Sequence, residues 1–449
     1  MNDTIAAIAT PLGVGAIAII RVSGSESIQI VNKIFKGKDL SHIPTHTIVY
    51  GHIIDKTNII DEVLVSVFKA PKTFTKEDVV EINTHGSIAT TNKILELLLL
   101  NGCRLAEPGE FTKRAYINGR IDLLEAEGVM DIINAKSESA RKLAMNQLDG
   151  KLSSLIKSLR QDILEVLANI EVNIDYPEYE DILEMTLEDL KPKIENIENR
   201  INELLKNSEN GKMIKEGIKV AIIGKPNVGK SSLLNALLNE EKAIVTDIEG
   251  TTRDYVEGSI YLNGIPLNFI DTAGIRNTDD VVEKIGVDKS IKMINEADLI
   301  LFLLNNNELI SEEEKTLLDK IKDKKHIIIV NKNDLKKNIN IDESLNPIYM
   351  STLNKEDINK VLDRIKELFN LKELETKDLT YISNARSIAI LKETLNRLDE
   401  AKKGIKENMP IDMVEIDIKE IWNSLGKIIG ETYEDELINQ LFSQFCLGK

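Results

Sequence analysis

The stretch that most limits what this chain can become is Gly224-Lys225-Pro226-Asn227-Val228-Gly229-Lys230-Ser231. It fits G-x-x-x-x-G-K-S and lies between an apolar run, Lys219 to Ile223, and an amphipathic run, Ser232 to Leu238. Strand, loop and helix in that order make a phosphate cradle. The N–H groups of a glycine-rich turn and of the helix N-terminus point at the anion. Lys230 adds a point charge near the β and γ phosphates, and the Ser231 hydroxyl can ligate Mg2+. A glycine-rich turn can match the pattern by chance, but the context on both sides predicts a nucleotide site.

Three further segments name the base. Asn331-Lys332-Asn333-Asp334 follows the strand-like run His326 to Val330. Guanine offers N1–H and the N2 amino group, and one carboxylate accepts from both. Adenine would leave Asp334 facing an unpaired acceptor, and an unpaired buried group is costly. Asp271-Thr272-Ala273-Gly274 ends the apolar run Ile265 to Ile270. Asp271 is placed to hold Mg2+ through water, and the Gly274 N–H to sense the γ-phosphate. Gly250-Thr251-Thr252-Arg253-Asp254 lies between, where a switch loop belongs, with Thr252 as the Mg2+ ligand of the triphosphate state. Four motifs in this order predict GTP binding.

A chain of 449 residues is expected to form two to four domains. It carries 57 Lys and Arg against 74 Asp and Glu, a net charge of −17. That argues against gripping nucleic acid by bulk charge, so an RNA contact needs a local basic patch or a partner. The two cysteines, Cys103 and Cys446, give no disulfide framework or Cys-rich zinc cluster and point to a reducing, cytoplasmic setting. The N-terminus has no basic n-region, and no apolar run approaches the ~18 residues of a membrane span. No membrane association is therefore expected. Cys446 stands fourth from the end, but Gly448 and Lys449 suit a prenylation box poorly.

Residues 1 to 119 read as mixed α/β. Strand-like runs are Ala16 to Val22, Thr47 to Ile54, Glu62 to Phe68 and Asp78 to Ile82; a helix, Ser87 to Leu100, stops at Asn101-Gly102. From 120 the period becomes helical. Leu152, Leu155, Leu159, Ile163, Leu167 and Ile170 share one face, and Leu187, Leu190, Ile194, Ile197, Ile201 and Leu204 another. Ser208 to Lys212 reads as a polar connection. Residues 216 to 373 alternate strands and helices around the GTP motifs, as in a doubly wound parallel sheet. Helical period returns at Ile388, Leu391, Leu395 and Leu398 and continues to Phe445. Neither helical block is long enough to make a bundle alone, so 120–215 and 374–449 are expected to pack together with the GTP domain inserted between them.

Hydrolysis needs a positioned water. Many small GTPases place a Gln directly after the D-x-x-G glycine, but here that residue is Ile275. The water is then positioned from elsewhere, or the domain is a slow switch. Asp279, Asp280 and Glu283 follow closely, and spacing does not separate them. Nor does it aim Arg253 or Arg276 as an arginine finger. Asn227 is a spare polar side chain beside the phosphates that could hold a monovalent cation in place of an arginine charge.

With these features in view, the chain resembles the MnmE (TrmE) tRNA-modification GTPases from end to end. The signatures are Ala9-Thr10-Pro11 with Arg21, Phe74-Thr75 to Asp78 with His85-Gly86, and Pro108-Gly109-Glu110-Phe111. Gly-Thr-Thr-Arg-Asp at 250–254 and the terminal Phe445-Cys446-Leu447-Gly448-Lys449 complete them. The resemblance implies a multidomain α/β plus all-α fold: an N-terminal folate-binding and dimerisation domain, a helical domain, and an inserted Ras-like P-loop G domain. It implies a homodimer that joins a separate FAD-containing protein, MnmG (GidA), in a heterotetramer. Together they attach an aminomethyl or carboxymethylaminomethyl group to C5 of the wobble uridine of certain tRNAs. The carbon comes from 5-formyl- or methylene-tetrahydrofolate, and K+ stimulates GTP hydrolysis.

By motif position the resemblance extends the GTP site to Asn227, Val228, Gly229, Lys230, Ser231, Ser232, Thr246, Asp247, Ile248, Glu249, Gly250, Thr251, Thr252, Asp271, Thr272, Ala273, Gly274, Asn331, Lys332, Asp334, Ser351, Thr352 and Leu353. It makes Asn227, Thr246, Ile248 and Thr251 the K+ ligands, keeps Ser231 and Thr252 for Mg2+, and selects Glu283 to position the water. Arg21, Glu81, Arg120 and Lys449 match the folate pattern. A pterin edge wants a carboxylate and a glutamate tail wants cations. Arg120 replaces the Lys of some relatives, which keeps charge but changes geometry. Cys446 reads either as a thiol active in one-carbon transfer or as a small residue packed with Phe442 and Phe445. Two other functions compete: a ribosome-assembly GTPase switch, which usually carries a basic RNA-binding module, and a membrane-remodelling GTPase, which needs a lipid-binding segment.

Overall fold

Alternation of apolar and polar residues builds the first sheet. In the computed structural model, which describes residues 3–175, 187–240, 256–270, 287–371, 374, 379–431 and 435–448, this sheet has seven strands. They are β1 (Ile5–Ile8), β2 (Gly15–Ser23), β3 (Phe35–Lys36), β4 (Thr47–Asp55), β5 (Asn58–Phe68), β6 (Val79–Gly86) and β7 (Arg104–Leu105), in the order β3-β4-β5-β6-β2-β1-β7. Only the β1–β7 pair is parallel. Val22, Val65, Val80 and Ile82 point into one core, where helices Ser27–Ile34 and Ile88–Leu100 cover them with Ile30, Val31, Ile94 and Leu98. The period-2 pleat sends Arg21, Glu81 and His85 to the opposite face, where Ile17, Ile48, Tyr50 and Leu64 are exposed. The four expected strands are present; three are longer by one to four residues, and the fourth begins one residue later, at Val79, and runs on to Gly86. β1, β3, β7 and the helices Ser27–Ile34 and Glu110–Ile117 are among the additions.

The chain divides into two units, Met1–Met130 with Leu148–Lys191 and Asn396–Lys449, and Asp131–Gln147 with Pro192–Leu395. In the first unit, helix Lys151–Asp175 packs along helix Ile411–Ile429. Leu152, Ile156, Leu159 and Ile163 are buried on one, Val414, Ile418, Ile421 and Leu425 on the other. The expected face of the first of these helices changes at one position: Leu155 is exposed and Ile156 takes its place. Arg160 fastens the pair. It is bonded to Glu431 and stacks 4.0 Å from the ring centre of Trp422. Apolar contact and a cation–π pair both act at this joint.

Helix Leu187–Glu216 corrects a second expectation, for it runs straight through Ser208–Lys212. The Ser208 hydroxyl donates to the Leu205 carbonyl at 2.6 Å, so its polarity is satisfied inside the helix. Gly211 is buried because a Cβ there would meet the Ile382 carbonyl oxygen at 2.9 Å. The polar stretch is a close-packing surface.

The second unit holds β8 (Ile218–Ile223), β9 (Val256–Leu262), β10 (Ile265–Ile270), β11 (Leu299–Asn305), β12 (His326–Asn331) and β13 (Ile348–Tyr349), in the order β13-β12-β11-β8-β10-β9. All neighbours are parallel except β9 and β10. Every residue of β11 is buried. Leu299, Leu301 and Leu303 face helices Lys230–Glu240 and Lys355–Leu368, while Ile300, Phe302 and Leu304 face helices Val287–Glu296 and Glu312–Ile321. Cover on both faces is what makes a parallel sheet stable. The carboxyl ends of β8, β11 and β12 come to one edge, where such sheets bind ligands.

Candidate functional site

At that edge β8 turns into helix Lys230–Glu240 through the glycine-rich loop. Gly224 has φ 152° and Gly229 φ 104°, values that L side chains rarely adopt. A Cβ on Gly224 would lie 2.5 Å from the Leu303 carbonyl oxygen, and one on Gly229 would lie 2.2 Å from Asn331 Nδ2. Both glycines are therefore required by packing as well as by conformation. Lys230 Nζ donates to the carbonyls of Gly224 and Lys225 at 2.9 and 2.8 Å, which holds its charge over the hollow of the loop. Ser231 is half-buried, Ser232 exposed, and Val228 buried beneath the loop. Asn227 stands exposed at the loop's tip with φ 60°.

Asn331 ties three of the expected segments together. Its Nδ2 donates to the Val228 carbonyl at 2.8 Å, and its Oδ1 accepts from the Thr352 amide at 3.2 Å. The phosphate loop, the Asn-Lys-x-Asp segment and Ser351-Thr352-Leu353 thus share one buried side chain. Lys332 takes φ 64° after it, Asp334 is exposed, and Leu353 is 89% exposed. The Asn333 amide donates to the Met350 carbonyl at 3.1 Å, and Ser351 is held by Asp357 Oδ2 at 3.1 Å. The segment beside the phosphate loop is thus open to solvent and braced through its backbone. Thr246, Asp247, Ile248, Glu249, Gly250, Thr251, Thr252, Asp271, Thr272, Ala273, Gly274 and Glu283 lie outside the described residues.

A second site lies in the first unit. Cross-strand partners Arg21 on β2 and Glu81 on β6 form a 2.8 Å ion pair. They line a cavity of about 460 Å³ with His46, Phe68, Lys72, Phe74, Lys76 and Arg120. The Arg120 guanidinium lies 4.7 Å from the centre of the Phe74 ring, and its Nη1 donates to the Phe74 carbonyl at 3.0 Å. Arg21 sits between the Phe74 and Phe111 rings, 5.9 and 5.7 Å from their centres. Arg21 Nη1 also donates to the Gly448 carbonyl at 3.3 Å, which brings the C-terminal tail to this pocket. The geometry joins three of the four residues expected for folate; Lys449 lies outside the described residues. The result is an aromatic wall with one carboxylate and four cations.

Known proteins place the chain. The family model described as the MnmE helical domain matches residues 123–446, and that described as the GTP-binding protein TrmE N-terminus matches residues 4–120. The tRNA modification GTPase MnmE of Streptococcus thermophilus (strain CNRZ 1066) is 54% identical, covering 100% of this chain and 98% of its own length. The chain belongs to the MnmE family. That of Streptococcus mutans serotype c is 53% identical over 100% of this chain and 99% of its own length. Among solved structures, the G domain of the T. maritima FeoB iron transporter is 29% identical, covering 34% of this chain and 98% of that one, with a TM-score of 0.25.

The structure gives a physical reason for the MnmE signatures in the first unit. Gly109 caps its helix at φ 68°, and a Cβ there would meet the Phe442 carbonyl oxygen at 2.5 Å and Phe445 at 2.7 Å. Its amide donates to the Cys446 carbonyl at 3.2 Å. Phe442 is buried and packs against Phe445 in a tilted pair with ring centres 5.0 Å apart, but Cys446 is exposed. The thiol is thus not part of that packing. Gly86 lets β6 approach β2, where a Cβ would meet the Gly15 carbonyl oxygen at 2.4 Å.

Sequence reasoning missed the cluster that supports the pocket. Arg114, 1% exposed, bonds Asp3, Glu77 and Glu110, and Glu110 also bonds Arg104. Burial pushes the Glu110 carboxyl up, but the Arg104 bond, the Glu107 amide and Arg114 outweigh it and hold it below its ordinary range. Glu77 accepts from Ser23 Oγ at 2.8 Å, and Ser23 bonds Thr75 at 2.7 Å. The loop carrying Phe74 and Lys76 is thereby pinned from below. The Pro108-Gly109-Glu110-Phe111 motif was the available signal, since a Glu directly after a glycine cap is placed to pair with buried cations.

Proposed function

We propose that this MnmE-family chain is a K+-stimulated GTPase that acts as a homodimer with a separate FAD-containing MnmG-type protein. The pair adds an aminomethyl or carboxymethylaminomethyl group to C5 of the wobble uridine, U34, of certain tRNAs in the cytoplasm, using a tetrahydrofolate one-carbon unit. The organisation behind it is a folate-binding and dimerisation domain, 1–119, a helical domain, 120–215 with 374–449, and an inserted G domain, 216–373. No helix among the described residues is long and apolar enough to cross a membrane, in keeping with a site of action on tRNA.

The observation that supports the folate reading best is the Arg21–Glu81 pair set in the aromatic cavity and touched by the Gly448 carbonyl. Glu81 would accept from the amino edge of a pterin. Arg120, Lys72 and Lys76 would meet the glutamate tail, with Lys449 completing the set. Cys446, exposed three residues before the chain's end, supplies a thiol to the one-carbon step. The open sheet face with Ile17, Ile48, Tyr50 and Leu64 suits a second copy of the chain.

In the G domain, Lys230 would exchange its loop carbonyls for phosphate oxygens. Ser231 and Thr252 would hold Mg2+, and Asp271 would reach it through water. Asn227, exposed at the tip of the loop, would join Thr246, Ile248 and Thr251 around K+, whose charge offsets that developing between the β and γ phosphates. Glu283 would orient the attacking water, the task Ile275 cannot perform. Asp334 would read guanine. Reconstitution tests the whole: the chain, an MnmG-type partner, methylene-tetrahydrofolate as carbon source, ammonium or glycine as nitrogen source, a reductant, GTP and K+ are incubated with unmodified tRNA. A C5-substituted uridine that requires both proteins is expected. GTP hydrolysis without any uridine product would reject the assignment.

A further inference from the structure

Asn306 follows β11 directly and is 1% exposed. Its backbone is bound three times to the segment that contains Asp334. The Asn306 amide donates to the Asn331 carbonyl at 2.9 Å, and its carbonyl accepts from the amides of Asn338 and Ile339 at 2.8 and 3.0 Å. Its side chain adds a fourth bond, from Nδ2 to the Leu335 carbonyl at 3.0 Å. The other side-chain atom, Oδ1, is buried with no partner among the described residues. Burying an unmet acceptor costs folding free energy, so Asn306 carries a cost that an apolar residue there would avoid.

The return on that cost lies at Asp334. Leu335 is held on both sides, its carbonyl by Asn306 and its amide by the Lys332 carbonyl at 2.9 Å. Asn333 is held by Met350. Asp334, exposed between them, owes the position of its carboxylate to these two neighbours. We infer that Asn306 is a positioning residue for base recognition: through the Leu335 carbonyl it sets where the Asp334 carboxylate stands. The inference rests on the reading of Asp334 as the guanine contact.

Guanine and hypoxanthine separate the two ideas, because hypoxanthine lacks the N2 amino group that a well-placed carboxylate also grips. Affinities of the full-length chain for GDP and IDP are measured by calorimetric titration for the wild type, Asn306→Ala, Asn306→Asp and Asp334→Asn. Asn306→Asp keeps the shape and removes the N–H that meets Leu335, so it serves if the alanine variant does not fold. In the Asn306 variants GDP binding is expected to weaken about tenfold and IDP binding about threefold or less, so that the preference for guanine shrinks. An equal loss for both nucleotides, or no loss, overturns the inference. If Asp334→Asn retains the guanine preference, the base reading itself fails and takes the inference with it.

Discussion

Asn331 Nδ2 donates to the Val228 carbonyl at 2.8 Å, so the residue that opens the guanine segment also supports the floor of the phosphate loop. Removing it leaves a buried carbonyl without a donor, which costs about 1–3 kcal/mol. Asn331→Ala should therefore weaken both GTP and GDP about 10- to 100-fold. Equilibrium titration with a fluorescent guanine nucleotide checks this. Loss of GTP affinity alone would place the effect at the γ-phosphate instead.

Gly229 faces the same amide from the other side. A Cβ at 2.2 Å from Asn331 Nδ2, at φ 104°, has no room. Gly229→Ala should abolish measurable nucleotide binding and leave ligand binding in the Arg21 pocket as it was. Titration of the variant with guanine nucleotide and with 5-formyl-tetrahydrofolate reads both. Retained nucleotide affinity would mean that the loop accommodates a side chain the geometry forbids.

Local chemistry was legible in the sequence, and chemistry made by long-range contact was not. Gly224 to Ser231 and Asn331 to Asp334 act through neighbours in the chain, so their spacing shows the cradle and the base segment directly. Arg21 and Glu81 are 60 residues apart and meet only through strand register; the family resemblance supplied them, but periodicity could not. His46, Phe68 and Lys76 join the pocket from loops and strand ends that carry no periodic signal. Arg114 carries no signal in the sequence and is buried, since Asp3 and Glu77 reach it from distant segments and Glu110 from one helical turn before it. Ser208 to Lys212 looked like a connection because composition is polar there, while the helix uses its hydroxyl and glycine for close packing.

The Arg114 cluster makes the first unit sensitive to acid. Arg104 and Arg114 outweigh burial and hold the folded Glu110 carboxyl below its ordinary value of 4.5. Its contribution is therefore complete above that value and disappears as pH falls through the lower, folded one. Glu110→Gln breaks a buried pair and should cost about 3–5 kcal/mol at neutral pH. It should also flatten the loss of stability between neutrality and acid. Thermal melts of both proteins across that range test this; equally steep acid limbs would assign the sensitivity to other carboxylates.

Arg21 pairs with Glu81 and reaches Gly448, far from the nucleotide chemistry in sequence. Arg21→Ala should weaken 5-formyl-tetrahydrofolate by about tenfold or more, the worth of one charge-assisted contact. The intrinsic GTPase rate should not change. An unaltered folate titration would remove Arg21 from the ligand's contacts.

The role proposed for Asn227 is read from the cation. Replacing Na+ by K+ should raise the turnover of GTP more than about tenfold, part of what an arginine charge supplies elsewhere. Equal rates in the two salts would dismiss the cation proposal.

The most direct measurement is the wobble uridine itself. Nucleosides from tRNA of cells lacking this gene are compared with those of cells carrying the wild-type chain or Gly229→Ala. The account predicts that the C5-substituted uridine vanishes without the gene and returns with the wild type but not with the variant. Undiminished C5-substituted uridine in the deleted strain would contradict it.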